Sequence, residues 1–339
     1  MAIKHNKIKR IIISLLVVSI IILLNSCGAI IIPVDNNESV VSETVSEVST
    51  CVLEPEISIP DISETSEPSG FEAEISSEFA IVYDETNNKI LFEKDSDIRC
   101  YPASLTKLIT AIVAVENFGL DEVFTVGNEL SLVQTGSSIA FLQSGQKLSL
   151  KMLLEALLIP SGNDAAYVIA SGVIRKLENE NDMYHRDAVA KFCEMMNKKA
   201  VEIGAVNTHF VNPDGWHDDN HYTTARDILL ISKYAHSIPV IVEITSTVRI
   251  DETFLTGEVV TWVNSNKLLK ETADTSKNYY NEYVKGLKTG FTDEAGNCLS
   301  AYGEYEDKKI YVVILNAPTD EARYMDVNLL FEKAFTILN

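Results

Sequence analysis

Ser104 and Lys107 stand three residues apart at the head of the stretch YPASLTKLITAIVAVENF, which runs from Tyr101 to Phe118. Residues three apart on a helix share a face. The side chains that follow (Leu108, Ile109, Ala111, Ile112, Val113, Val115) are apolar on nearly every side, so their helix belongs inside a protein. A lysine there must be paired or kept for chemistry. A serine hydroxyl is a poor nucleophile until a base lies within hydrogen-bond reach. A lysine serves as that base only when burial or a neighbouring cation lowers its pKa. The apolar helix can supply the burial, and a second lysine the cation. At a helix start the serine also lies near unpaired backbone N–H groups and the positive end of the dipole.

Ser-x-x-Lys alone carries little information, and the chain contains it twice. The second copy, Ser144 to Lys147, sits in the turn-like LQSGQKLS with no helix behind it and reads as chance. Two further motifs follow the first. SGN (Ser161, Gly162, Asn163) falls between two helical patterns, and KTG (Lys288, Thr289, Gly290) falls on an extended apolar pattern. Each is common by itself. The three in this order and in these contexts match the motif set of penicillin-binding proteins and class A β-lactamases.

The elements that must position these residues are legible in outline. FAIVYDETNNKILFEK reads as two strands around a turn at Asn87 and Asn88. The Ser104 helix follows, and SSIAFLQSGQKLSL reads as strand and loop. LKMLLEALLI is an amphipathic helix ending near Pro160. The next helix starts after SGN, with Asn163 or Asp164 placed to cap it. RDAVAKFCEMMNKKAVEIG is closed by Gly204, and TARDILLISKYAHS is a further helix. The pattern changes after about Val248. The segment from Val284 to Ala317 gives three strands joined by short turns, and the chain closes on a helix. Strands, helical block, strands and helix predict an α+β domain whose sheet is assembled from both chain ends.

Composition bounds what surrounds this domain. The net charge of -21 argues against nucleic acid as a partner. Much of it lies between Val34 and Glu78, which hold twelve Asp or Glu, ten Ser and no Lys or Arg. Such a segment buries little and is expected to be a disordered tether. Before it, MAIKHNKIKR carries four basic residues, and Ile11 to Leu24 form a fourteen-residue apolar run. That run is short for a membrane span and right for a signal h-region. LNSC follows and resembles a bacterial lipobox, which makes Cys27 the lipidated residue and predicts a protein exported and anchored to the outer face of the cytoplasmic membrane. An uncleaved signal anchor is the blander alternative. The expected organisation is a signal and anchor over 1–27, a tether over 28–78 and a catalytic domain over 79–339. Cys100, Cys193 and Cys298 show no Cys-x-x-Cys spacing and read as buried free thiols.

From about Phe79 onward the chain resembles the D-alanyl-D-alanine carboxypeptidases among the low-molecular-mass penicillin-binding proteins, peptidase family S11. PASLTKLITA, LLIPSGNDAA, FVNPDGWHDDNHYTTARD, WVNSNKLL and GLKTGFTDEAGNCLSA carry the likeness. It implies a β-lactamase/transpeptidase-like fold and removal of the terminal D-alanine from peptidoglycan stem peptides, with β-lactam antibiotics as covalent inhibitors and no cofactor. It implies Ser104 as the acylated nucleophile, Lys107 as its base and Ser161 as a proton relay. Asn163 would hold the substrate amide. Lys288 would supply positive charge and help keep Lys107 neutral, and Thr289 would bind the terminal carboxylate. The N–H groups of Ser104 and Phe291 would form the oxyanion hole. Gly290 would let the substrate backbone approach the strand. The chain runs about 49 residues past Gly290, too few for the family's β-rich second domain and amphipathic membrane helix, so the anchor is expected at the N-terminus instead.

Rival readings are weaker. A class A β-lactamase needs the glutamate of an E-x-x-L-N pattern, and none lies between Asn163 and Lys288. A D,D-endopeptidase would use the same residues on cross-links. His209, His217 and His221 suggest zinc, but NPDGWHDDNHY reads as a loop and not as one helix face. A dead-site wall-binding module would lack one of the motif residues, and all are present. Trp216 and Trp262 read as packing residues.

Overall fold

The computed structural model describes residues 70–274 and 277–338. The signal segment, Cys27 and the tether up to residue 69 lie outside the described residues. The folded unit extends further toward the N-terminus than Phe79. Phe71 stacks on Phe92, and the hydroxyl and amide of buried Ser77 both donate to Asp326. Residues 70–78 are acidic, but alternating apolar side chains (Phe71, Ala73, Ile75) give them a face to bury.

Five antiparallel strands form the main sheet in the order β2-β1-β9-β8-β7. Strands β1 (Phe79–Asp84) and β2 (Lys89–Lys94) come from the front of the domain, and β7 (Val284–Thr292), β8 (Gly296–Tyr305) and β9 (Lys308–Ala317) from its end. β1 pairs with β9, from Phe79 opposite Leu315 to Asp84 opposite Ile310. Alternation along β1 sends Ile81 and Tyr83 into the core shared with the helical block. Ala80 and Val82 go into a second core under the C-terminal helix. Both faces of the sheet are therefore covered, and β7 is left at an edge.

The helical block comprises α1 (Lys107–Asn117), α2 (Leu150–Leu158), α3 (Asn163–Leu177), α4 (His185–Ile203), α5 (Ala225–His236) and the short α6 (Pro239–Ser246). The C-terminal α7 (Asp320–Leu338) packs on the opposite sheet face. α4 ends on Gly204 at φ 93°, the left-handed cap that glycine adopts without strain. The α+β architecture agrees with the sequence reading. Three elements escape it: α6, the hairpin of β5 (Arg249–Thr253) with β6 (Val259–Val263), and the pairing of β3 (Val123–Thr125) with β4 (Lys147–Ser149). Each is short, with too few residues to show a period.

Two local expectations are corrected. Neither Asn163 nor Asp164 caps α3. The N-cap is Gly162, with no side-chain cap. The Asn163 side chain turns to Lys107, and the Asp164 carboxylate accepts from the amides of Ala140 and Leu142 at 2.8 and 2.9 Å. A tertiary partner takes the Asn163 side chain, whereas Asp164 serves both, its Oδ1 also accepting from the Ala165 amide in the first turn of α3 at 3.0 Å. Of the tryptophans, Trp262 is buried and donates its indole N–H to Ala140 at 3.1 Å, whereas Trp216 is 36% exposed.

Candidate active site

Ser104 lies in a single 3-10 turn, Ala103–Thr106, that feeds directly into α1. Ala103 is forced to φ 47°, and two glycines make room for it. A methyl group on Gly215 would lie 1.9 Å from the Ala103 carbonyl oxygen, and one on Gly290 would lie 3.0 Å from the Ser104 amide nitrogen. The glycine of KTG therefore admits the protein's own 102–104 turn against β7. This is a second demand on Gly290, which also lines the cavity where a substrate backbone was expected to approach. Thr106 donates its hydroxyl to the Ala103 carbonyl at 2.8 Å and contacts His221 Nε2 at 2.8 Å. The Val211 amide donates to His221 Nδ1, so the ring proton belongs on Nε2, and His221 donates to Thr106. Burial pushes the His221 pKa down to about 3, so the ring is neutral. His221 thus braces the turn under Ser104.

Lys107 is fully buried, and its Nζ has three neighbours. Ser104 Oγ lies at 2.8 Å, Asn163 Oδ1 at 2.7 Å and the Asp214 carbonyl oxygen at 2.7 Å. Burial lowers its pKa to about 8, against the opposing pull of Asp214 and Asp164. The geometry decides what the neutral amine does. The Asn163 and Asp214 oxygens can only accept, so they take the two N–H bonds of the neutral amine. The remaining lone pair points to Ser104, whose hydroxyl must then donate to it. Losing one proton converts Lys107 from a donor to Ser104 into an acceptor from it.

Lys288 on β7 is also buried and donates to the Thr289 carbonyl at 2.9 Å. Burial, then the charges of Lys107 and Arg323, hold its pKa well below the ordinary lysine value. The Thr289 hydroxyl shares a 2.7 Å hydrogen bond with Ser265. Arg323, in the first turn of α7, donates to the carbonyls of Gly290 and Cys298 at 2.9 and 3.2 Å and pairs with Asp320. Its Nε is buried without a partner. Three basic side chains thus gather at one site in a chain whose net charge is -21.

A cavity of about 660 Å³ opens over these groups. Ser104, Ser161, Asn163, Thr289, Gly290 and Phe291 line it, and Lys107 and Lys288 lie buried behind its wall. Ser161 reaches the cavity from a left-handed backbone at φ 65° between α2 and α3. Segment 290–291 of β7 runs beside the Ser104 amide, which brings the two expected oxyanion-hole residues to one place. Ser144 and Lys147, by contrast, fall in the turn before β4 and at its start, away from the cavity lining. Cys100, Cys193 and Cys298 are buried free thiols.

Sequence reasoning missed Asp214, Ser265 and Arg323. Only Arg323 left a signal: it occupies the apolar stripe of α7 that continues through Val327, Leu330 and Ala334, where a charge is out of place. Asp214 and Ser265 sit in polar loops and look like their neighbours.

Comparisons with known proteins agree with this architecture. Residues 63–319 match the D-alanyl-D-alanine carboxypeptidase family, peptidase S11. The chain is 30% identical to the D-alanyl-D-alanine carboxypeptidase DacF of Bacillus subtilis over 76% of its own length and 61% of that protein's. It is 30% identical to DacC of Escherichia coli over 75% of its own length and 60% of that relative's. The chain thus spans about three-fifths of the length of these curated relatives. The crystal structure of the Streptomyces K15 DD-transpeptidase superposes with a TM-score of 0.69 at 27% identity, covering 78% of this chain and 99% of that one. Penicillin-binding protein D2 of Listeria monocytogenes, solved in an ampicillin-bound form, superposes at 0.62 with 29% identity, covering 78% of this chain and 100% of that one. With its serine and two buried lysines arranged on this fold, the chain belongs to the D-alanyl-D-alanine carboxypeptidase family, peptidase S11.

Proposed function

We propose that this protein is a serine-type D-alanyl-D-alanine carboxypeptidase that removes the terminal D-alanine from peptidoglycan pentapeptide stems. One observation carries the reading: Lys107 Nζ lies 2.8 Å from Ser104 Oγ, and its other two neighbours can only accept. Neutral Lys107 takes the Ser104 proton as Oγ bonds to the scissile carbonyl carbon. The oxyanion is received by the N–H groups of Ser104 and Phe291. Collapse breaks the C–N bond, and Ser161 passes the proton from Lys107 to the departing D-alanine amine. Lys107 then takes a proton from water as it attacks the acyl-enzyme, and returns it to Ser104 Oγ as the ester C–O bond breaks. Asn163, Thr289 and Gly290 line the substrate groove. Thr289, Lys288 and Arg323 form the cationic end that receives the substrate's free carboxylate. A β-lactam carries an equivalent carboxylate and an acylating carbonyl. Its acyl-enzyme persists, because no E-x-x-L-N glutamate is present to activate water.

Incubation with a D-alanyl-D-alanine pentapeptide releases free D-alanine, an amide-capped pentapeptide reacts poorly, and penicillin suppresses release over many turnovers. Fast penicillin hydrolysis without D-alanine release would instead make the protein a β-lactamase. Cleavage of cross-linked dimers alone would make it an endopeptidase.

The protein is further proposed to be exported and held to the outer face of the cytoplasmic membrane by lipid on Cys27, with the acidic segment as a spacer. LNSC behind a fourteen-residue apolar run supports this. Cys27→Ala leaves unprocessed precursor. A mature N-terminus at any other residue overturns the lipid anchor.

A further inference from the structure

The sequence reads Trp216 as a packing residue, yet it lines the active-site cavity and stays 36% exposed. Phe291 lines the same cavity and is 57% exposed. A scattered apolar side chain on a surface needs no explanation, but two large rings on the wall of one cavity do. The wall around them is small or polar, with Thr135 to Ser138, Ser161 and Asn163. Ligand sites combine such polar groups with a few apolar faces that the ligand covers.

The backbone that carries each ring is set by the nucleophile's own turn. Gly215 and Gly290 press on one peptide unit, the first against the Ala103 carbonyl and the second against the Ser104 amide nitrogen, and the residue after each glycine is the aromatic. The 212–216 loop is then closed by its own hydrogen bonds. The Gly215 amide donates to Asn212 Oδ1 at 2.8 Å, Asn212 Nδ2 donates to the Trp216 carbonyl at 2.8 Å, and the Trp216 amide donates to Asp214 Oδ1 at 3.2 Å. Lys107 Nζ pins the same loop from inside through the Asp214 carbonyl at 2.7 Å. The Trp216 backbone is therefore fixed before any ligand arrives, and an indole has only two side-chain torsions left to lose on binding.

The direction of the substrate decides which half meets these rings. A peptide with its carboxylate at Thr289 and its scissile carbonyl at the amides of Ser104 and Phe291 runs antiparallel to β7, which is free at the sheet edge. Its acyl half continues past Phe291 toward Thr292, away from the carboxylate end. We propose that Trp216 is the specificity-determining residue for the amino acid that precedes the D-alanyl-D-alanine pair, and that it selects a side chain with an aliphatic stem. The proposal rests on the reading of the protein as a D,D-carboxypeptidase. Several methylenes laid against an indole leave water, whereas a glycine at that position has nothing to bury.

The test uses two peptides that differ only there, acetyl-norleucyl-D-alanyl-D-alanine and acetyl-glycyl-D-alanyl-D-alanine. Release of D-alanine gives kcat/KM for each, and the ratio of the two is read, so that a general change in activity cancels. The full chain is expected to favour the norleucyl peptide by about tenfold or more. Trp216→Ala is expected to bring the ratio within about threefold of unity, and Trp216→Phe, which keeps an aromatic face, to retain most of the preference. A parent ratio near unity, a ratio that Trp216→Ala leaves unmoved, or equal loss in Trp216→Phe and Trp216→Ala overturns the proposal. If Trp216→Ala does not fold, Trp216→Gln decides. No release from either peptide by the parent would refute the carboxypeptidase reading itself, whereas release from both at equal rates would refute only the role of Trp216.

Discussion

Ser104→Ala abolishes covalent labelling by fluorescent penicillin and release of D-alanine together, while the thermal melt stays within about 2 °C of the parent. Both reactions need the same oxygen to attack a carbonyl, and no other hydroxyl stands next to Lys107 Nζ among its hydrogen-bond partners. Ser161 lines the cavity but makes no hydrogen bond to Lys107 Nζ in the resting site. The Ser104 side chain accepts from Lys107 and braces nothing else that bears on the fold, so its loss costs little stability. Intact-protein mass spectrometry after penicillin treatment reads the outcome directly. An adduct that persists in Ser104→Ala would move the nucleophile to another residue and end the assignment.

Lys107→Ala lowers the acylation rate by about 10²–10⁴-fold, the usual contribution of a positioned general base. Lys107→Arg falls as far, because a guanidinium does not give up its proton and cannot accept one from Ser104. The parent profile supplies an independent check. Burial brings the Lys107 pKa down to about 8, so the competent neutral form gains with rising pH. The acylation rate therefore climbs through about pH 8 and levels above it, and on acidification it falls tenfold per unit once Lys107 is mostly charged. Stopped-flow acylation by a reporter β-lactam gives this limb. Normal acylation in Lys107→Ala would assign activation of Ser104 to another group.

The proposed carboxylate-binding role of Thr289, Lys288 and Arg323 has to operate in a strongly acidic protein. A net charge of -21 repels anions at a distance, but salt screens that field beyond roughly 10 Å. Lys288 and Arg323 lie at contact range behind Thr289, inside that screening distance. Arg323 is anchored by two backbone carbonyls and Asp320, so its position is set before any ligand arrives.

Much was legible in the sequence alone because it is written in local patterns. The apolar surround of Lys107 announced burial, and burial is the first cause of its lowered pKa. The strand patterns at both chain ends announced a sheet assembled from the two, and the order of SLTK, SGN and KTG announced one site; the pairing of β1 with β9 came from the structure. Tertiary structure alone decided which atoms meet. Gly290 proved to serve the 102–104 turn, because its missing Cβ leaves 3.0 Å to the Ser104 amide across 186 residues of sequence. Asn163 and Asp164 looked like helix caps because capping is the local use of such side chains. Lys107 took Asn163 instead, and Asp164 keeps the Ala165 amide of the helix start while bracing the 140–142 loop. Asp214, Ser265 and Arg323 entered the site the same way: charge and hydrogen-bond partnership depend on distance in space, and spacing along a loop carries no record of it.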